Sequence, residues 1–191
     1  MYSGMQGVDV SLLKTGDILL VRCSHLFGRS VRAATRQEWD HLVLLIRCER
    51  DGKLCTLEAT GDGCHKYTFA TRMQRDKWER VGVRRLSSSL GLEQQRTIEA
   101  FAAEVEGLPY KRSRVEAVRA FVPGPCSCCG LTASSTQMTD SYFCSELVAE
   151  AFRRIGLLPP HIKSHRYAVQ HFLGAEPRLQ GNSLDALIAI K

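Results

Sequence analysis

No apolar run in the chain approaches the roughly 20 residues needed to cross a bilayer, so no segment reads as a transmembrane helix. The opening Met1-Tyr2-Ser3-Gly4-Met5-Gln6-Gly7 has neither a basic stretch nor an apolar core. No secretory signal is therefore expected, and the expected location is cytoplasmic. No internal repeat is visible. The basic residues carry no interleaved aromatics and no nucleic-acid-binding motif, although the net charge is +6. They are dispersed as Arg29, Arg32 and Arg36, then Arg72, Arg75 and Lys77, then Lys111, Arg112 and Arg114. We read them as solvated surface with a lean towards an anionic membrane surface; no nucleic-acid partner is expected.

What is present is a chain of 191 residues with 44% apolar residues, enough for a proper core. We read residues 1–191 as a single domain. The eight cysteines are plentiful for that length. In a reducing compartment they are free thiols, metal ligands or catalytic groups rather than disulfides. No cofactor is expected.

Residues 18–22 form a short branched run after a turn at Thr15-Gly16-Asp17 and predict a buried strand. Residues 23–37 read as a loop or short helix interrupted by Gly28. The strongest strand signal is 39–48, whose apolar run is continuous, so the strand is covered on both faces or lies centrally in the sheet. A turn at 49–53, with Gly52, returns the chain into a partner strand at 54–59. Thr60-Gly61-Asp62-Gly63 breaks that strand, and 78–86 suits another. Residues 92–106 predict an amphipathic helix with Ile98, Phe101, Ala102 and Val105 on one face. Residues 159–172 read as a loop and 184–190 as a last strand. The sum is α+β with an antiparallel sheet.

The stretch with most chemistry is Tyr142-Phe143-Cys144-Ser145-Glu146-Leu147-Val148. Leu147, Val148, Ala151, Phe152 and Ile155 fall at helical spacing, and Gly156 followed by Pro159 and Pro160 stops the helix. Thr139, Asp140 and Ser141 supply turn or cap formers upstream. A thiol in the first turn meets unpaired N–H groups and the positive end of the helix dipole, both of which favour thiolate. The alternative is a small buried hydrophobe, the usual fate of a free cysteine.

His41 opens the best strand and Glu58 sits late in its hairpin partner. Folding about Arg50-Asp51 brings Glu58 opposite Leu44 or Leu45, a pair or two from His41, with a bulge at Gly52 or Gly61 able to close the gap. A carboxylate beside a histidine holds the imidazole in one tautomer. If the Cys144 helix packs on this sheet, the set becomes nucleophile, base and orienter. Alternatively, His41 is a strand-edge histidine bonded to backbone and Glu58 an exposed carboxylate.

Gly16-Asp17-Ile18-Leu19, Asp40-His41-Leu42-Val43, Leu57-Glu58-Ala59, Glu106-Gly107-Leu108-Pro109-Tyr110 and the Tyr142 to Val148 segment occur in that order. Together they resemble the permuted papain-like amidases and peptidases of the YaeF/YiiX type, within the NlpC-like superfamily. Histidine precedes cysteine, the order of that branch, and the resemblance runs from about residue 14 to 172. It implies a papain-like α+β domain whose antiparallel sheet packs on a helix beginning at the nucleophile. It also implies hydrolysis of an amide or ester bond by Cys144, His41 and Glu58, with Ser145 and Tyr142 as oxyanion or support residues. The substrate would be a peptide, a modified amino acid or a lipid. A sister branch of the superfamily transfers acyl chains from phospholipids, which gives the alternative function. A second alternative is a non-catalytic zinc-binding or cysteine-rich module.

Residues 121–140, with Cys126, Cys128 and Cys129, read as an exposed insertion. Only Cys126 and Cys129 have knuckle spacing, and Cys64-His65 is the only second pair a zinc site could use. S-acylation of the cluster is the other special reading, and a plain loop the ordinary one. His161, His165 and His171 are spaced too irregularly for a metal set, and His171 is expected near the rim of the site.

Overall fold

The computed structural model describes residues 8–74, 77–111, 141–174 and 179–190. Its strands are Ile18–Cys23 (β1), His41–Arg47 (β2), Leu54–Thr60 (β3), Gly63–Thr68 (β4), Trp78–Arg84 (β5) and Ile188–Ala189 (β6). Its α-helices are Leu26–Thr35 (α1), Phe69–Met73 (α2), Leu92–Val105 (α3) and Cys144–Arg154 (α4). The strands form one antiparallel sheet in the order β4-β3-β2-β1-β5-β6.

Both faces of this sheet are covered, which is why β1 and β2 read as continuous apolar runs. Leu42, Leu44 and Ile46 of β2 join Leu57, Ile98, Phe101, Leu147, Val148 and Phe152 in a core between the sheet and helices α3 and α4. Val43 and Leu45 point the other way and pack with Leu19, Val21, Phe69, Trp78 and Val83. Alternation along each strand thus builds two cores from one sheet.

Local chemistry fixes the ends of the elements. Buried Asp17 accepts from Lys14 N–H and Leu86 N–H, each at 2.9 Å, tying the start of β1 to the chain leaving β5. Gly16 beside it has φ +96°, and a Cβ there would lie 2.5 Å from Leu86 Cδ1. Arg84, itself buried, donates to the carbonyls of Phe172, Gly174, Leu184 and Asp185 and clamps the C-terminal segment under the sheet.

Four local expectations change. Gly28 does not interrupt 23–37, because α1 runs through it; a Cβ there would sit 2.9 Å from Asp40 Oδ1, so the glycine serves close packing. The chain after Thr60 turns over Gly61-Asp62 and returns as β4, an edge strand whose outward residues are polar and so lack an apolar signature. The last strand shrinks to Ile188–Ala189 plus a single bridge from Leu184 to Leu86. The loop at 159–172 contains two 3-10 turns, Ser164–Arg166 and Val169–Phe172. The insertion at 121–140 lies outside the described residues.

Candidate active site

Helix α4 begins at the cysteine. Phe143 is extended and caps the helix, and Cys144 is its first helical residue. Glu146 reaches back to accept from Phe143 N–H at 3.4 Å and pairs with Lys111 Nζ at 3.5 Å. Leu147 N–H is the first amide bonded to a carbonyl of this turn, that of Phe143 at 2.9 Å. The amides of Cys144, Ser145 and Glu146 therefore precede the helical ladder. Tyr142 locks the entry: its N–H donates to Pro109 O at 3.3 Å, and its carbonyl accepts from Lys111 N–H at 3.1 Å. Its ring lies in the core, edge-on to Phe101 at 6.0 Å.

The β2–β3 ladder pairs Leu44 with Leu57 and Leu45 with Thr56. Continuing it sets Glu58 opposite Val43, one pair nearer the start of β2 than expected, and diagonal to His41 on the same face. No bulge is needed. His41 Nε2 lies 3.1 Å from Glu58 Oε2, and the Cys144 thiol is close enough to the same ring to raise its pKa. The three residues expected to act together are thus joined through the imidazole.

The carboxylate has a further partner. Arg72 of α2 donates through Nε to Glu58 Oε1 and through Nη2 to Oε2, a two-point fork. Thr56 Oγ1 lies 3.4 Å from Oε1. Glu58 is 0% exposed and Arg72 2%. Burial pushes the Glu58 carboxyl up, but His41 and Arg72 outweigh it and hold it below its ordinary range. For His41, burial works against the charge; the bonds to Cys144 and Glu58 prevail and raise it to about 10.

A cavity opens over the cysteine. Phe27, Tyr110 and Phe143 give it an aromatic wall, with Asp40, Ser145 and His165 also lining it. Tyr110 meets Phe143 edge-on at 5.7 Å and Phe27 at 6.4 Å. Burial, and then the neighbouring Cys144, push the Tyr110 hydroxyl's pKa up, so it stays a neutral donor. Ser145 reaches the cavity, whereas Tyr142 does not line it. His165 replaces His171 at the rim; His171 Nδ1 instead accepts from Ala168 N–H at 2.8 Å and closes its own turn.

The remaining described thiols are differently placed. Cys64 is wholly buried in the core beneath α3 and α4, where burial, Glu106 and Glu146 push it up to about 12. Its neighbour His65 bonds Glu106 at 2.9 Å, so the pair considered for zinc is split between core and surface. Cys126, Cys128 and Cys129 lie outside the described residues. Among the described residues no group of three or more His, Cys, Asp or Glu side chains is placed to hold a metal ion.

Two arginines assigned to solvated surface are not there. Arg72 is buried, and Arg32 pairs with buried Asp40, which also accepts from Cys23 N–H at 3.2 Å. The spacing of Phe69, Arg72 and Met73 could have shown the first, since it puts the arginine on the apolar stripe of a short helix. Asp40 and Tyr110 lay within the family-like motifs, but without a role.

No family model and no curated protein matches the chain. Among solved structures it is similar to the metalloprotein YiiX from Escherichia coli O157:H7, with a TM-score of 0.54 and 21% sequence identity. The match covers 75% of this chain and 66% of that one. The protein therefore has a YiiX-like, papain-like α+β fold, in which an antiparallel sheet packs against a helix that starts at Cys144.

Proposed function

We propose that the protein is a thiol hydrolase of amide or ester bonds, of the kind found among NlpC-like amidases. The observation that carries this reading is one imidazole that meets a buried carboxylate at 3.1 Å and has its pKa raised by the helix-start cysteine beside it. With the thiol proton held by His41, Cys144 Sγ attacks the substrate carbonyl carbon. The oxyanion is met by the amides at the start of α4, those of Cys144 and Ser145 among them. As the tetrahedral intermediate collapses, the carbonyl–nitrogen or carbonyl–oxygen bond breaks and His41 protonates the leaving group. Water, deprotonated by His41, then attacks the thioester, releasing the acid and restoring the thiol. Glu58 holds the ring in place and balances its charge throughout.

Metal chemistry is not carried over from the YiiX neighbour. Both Glu58 oxygens are already taken by Arg72 and His41, so this donor set does not fit a metal ion.

The test is hydrolysis of p-nitrophenyl acetate and a panel of amide reporters by the native protein, Cys144→Ala and His41→Ala. Turnover in the native protein that disappears in Cys144→Ala supports the reading. Equal turnover in all three contradicts it.

A further inference from the structure

We infer that Arg72 is a positioning residue for this reaction, acting on His41 and Cys144 only through the carboxylate of Glu58. The inference rests on the hydrolase reading above and adds a fourth member to its machinery. Three geometric facts support it.

The fork from Arg72 takes one hydrogen bond to each Glu58 oxygen, so it fixes the plane of the carboxylate as well as its charge. That plane decides whether Oε2 meets His41 Nε2, here at 3.1 Å. A lysine could supply charge at this place but not the two-point geometry.

The guanidinium is itself held by two aromatic rings. Its central carbon lies 4.6 Å from the Tyr67 ring centroid and 5.1 Å from that of Trp78. Tyr67 comes from β4 and Trp78 from the start of β5, so two elements distant in the sheet bring their rings to one guanidinium. Among the described residues Arg72 Nη1 has no hydrogen-bond partner, and the aromatic faces supply its attraction instead. A buried polar atom is left unpaired while the other two point at one carboxylate. That arrangement serves the carboxylate rather than generic packing.

The charges also require it. A carboxylate shielded from water tends to take up a proton, and a protonated Glu58 cannot steady an imidazolium. Arg72 keeps Glu58 ionised whether or not His41 carries a proton, so the triad can pass through both states of the imidazole.

The experiment is the rate of Cys144 alkylation by iodoacetamide from pH 3 to 9, read by peptide mass spectrometry. Native protein, Arg72→Met, Arg72→Lys, Glu58→Gln and the Glu58→Gln/Arg72→Met double variant are compared, with circular dichroism confirming folding. In Arg72→Met the acid limb moves upward by about one unit, which is about tenfold in rate on that limb. Arg72→Lys recovers part of the shift. Adding Arg72→Met to Glu58→Gln changes the profile little, because the arginine has lost the group through which it acts. A limb that stays in place while only the amount of folded protein falls assigns Arg72 to folding and overturns the inference. So does a double variant whose effects add. If Arg72→Met does not fold, Arg72→Lys and the double variant decide. Failure of the hydrolase reading looks different: native Cys144 then reacts no faster than a free thiol before any Arg72 variant is made.

Discussion

Cys144 and Cys64 belong to the same buried core, yet their surroundings point to opposite chemistry. Cys64 sits on edge strand β4 among apolar neighbours, and burial raises its thiol to about 12. Cys144 opens a helix, borders a cavity and neighbours an imidazole whose surroundings hold it at about 10. Burial alone therefore says little about a thiol. What separates the two is whether a cation and the amides of a helix start come with it.

Four perturbations sharpen this contrast, in falling order of effect. Cys144→Ala removes esterase or amidase turnover by roughly 10⁴-fold or more, whereas Cys64→Ala leaves it unchanged, as steady-state kinetics on one substrate will show. His41→Ala lowers turnover by about 10²–10⁴-fold. It also reshapes the dependence of stability on pH. The folded protein holds the His41 proton up to about 10, while the unfolded chain releases it near the ordinary 6.5. The His41 contribution to stability is thus fully present below pH 6.5 and is lost as pH rises through that window. Melting curves across the window should show the slope in the native protein and its loss in His41→Ala.

Glu58→Gln is expected to be costlier for stability than for folding topology. It leaves Arg72 buried without its countercharge, a loss of about 3–5 kcal/mol measurable by urea denaturation. Because Glu58 titrates below its ordinary 4.5, the native protein also loses this contribution as pH falls below that value. The smallest effect belongs to Cys64→Ala, about 1 kcal/mol of core packing with no change in rate. A change in rate there would remove the distinction between the two thiols.

The parts legible in the sequence were those with local signatures. The β2–β3 hairpin announced itself by a continuous apolar run and a glycine turn, and α4 by its stripe and stop. Of the candidate site residues, His41 and Cys144 followed from where those elements began. What escaped depended on partners far away in sequence. β4 is held by backbone pairing to β3, with His65, Lys66 and Thr68 carrying no apolar pattern. Arg72 looks like any surface arginine until Glu58, Tyr67 and Trp78 surround it. Gly28 reads as a helix breaker because its use, the close approach of Asp40, comes from another element. The one-pair error in register was one of counting, since pairing outward from Arg50-Asp51 already sets Glu58 opposite Val43, in line with the ladder found.

The central claim is that His41 makes Cys144 the reactive thiol. Its most direct test is substoichiometric iodoacetamide labelling of folded protein at neutral pH, with every cysteine peptide quantified in native protein and in His41→Ala. We predict that label enters Cys144 first in the native protein, at least about tenfold ahead of Cys64 and Cys23, and that this lead collapses in His41→Ala. Equal labelling of Cys144 in the two proteins contradicts the account.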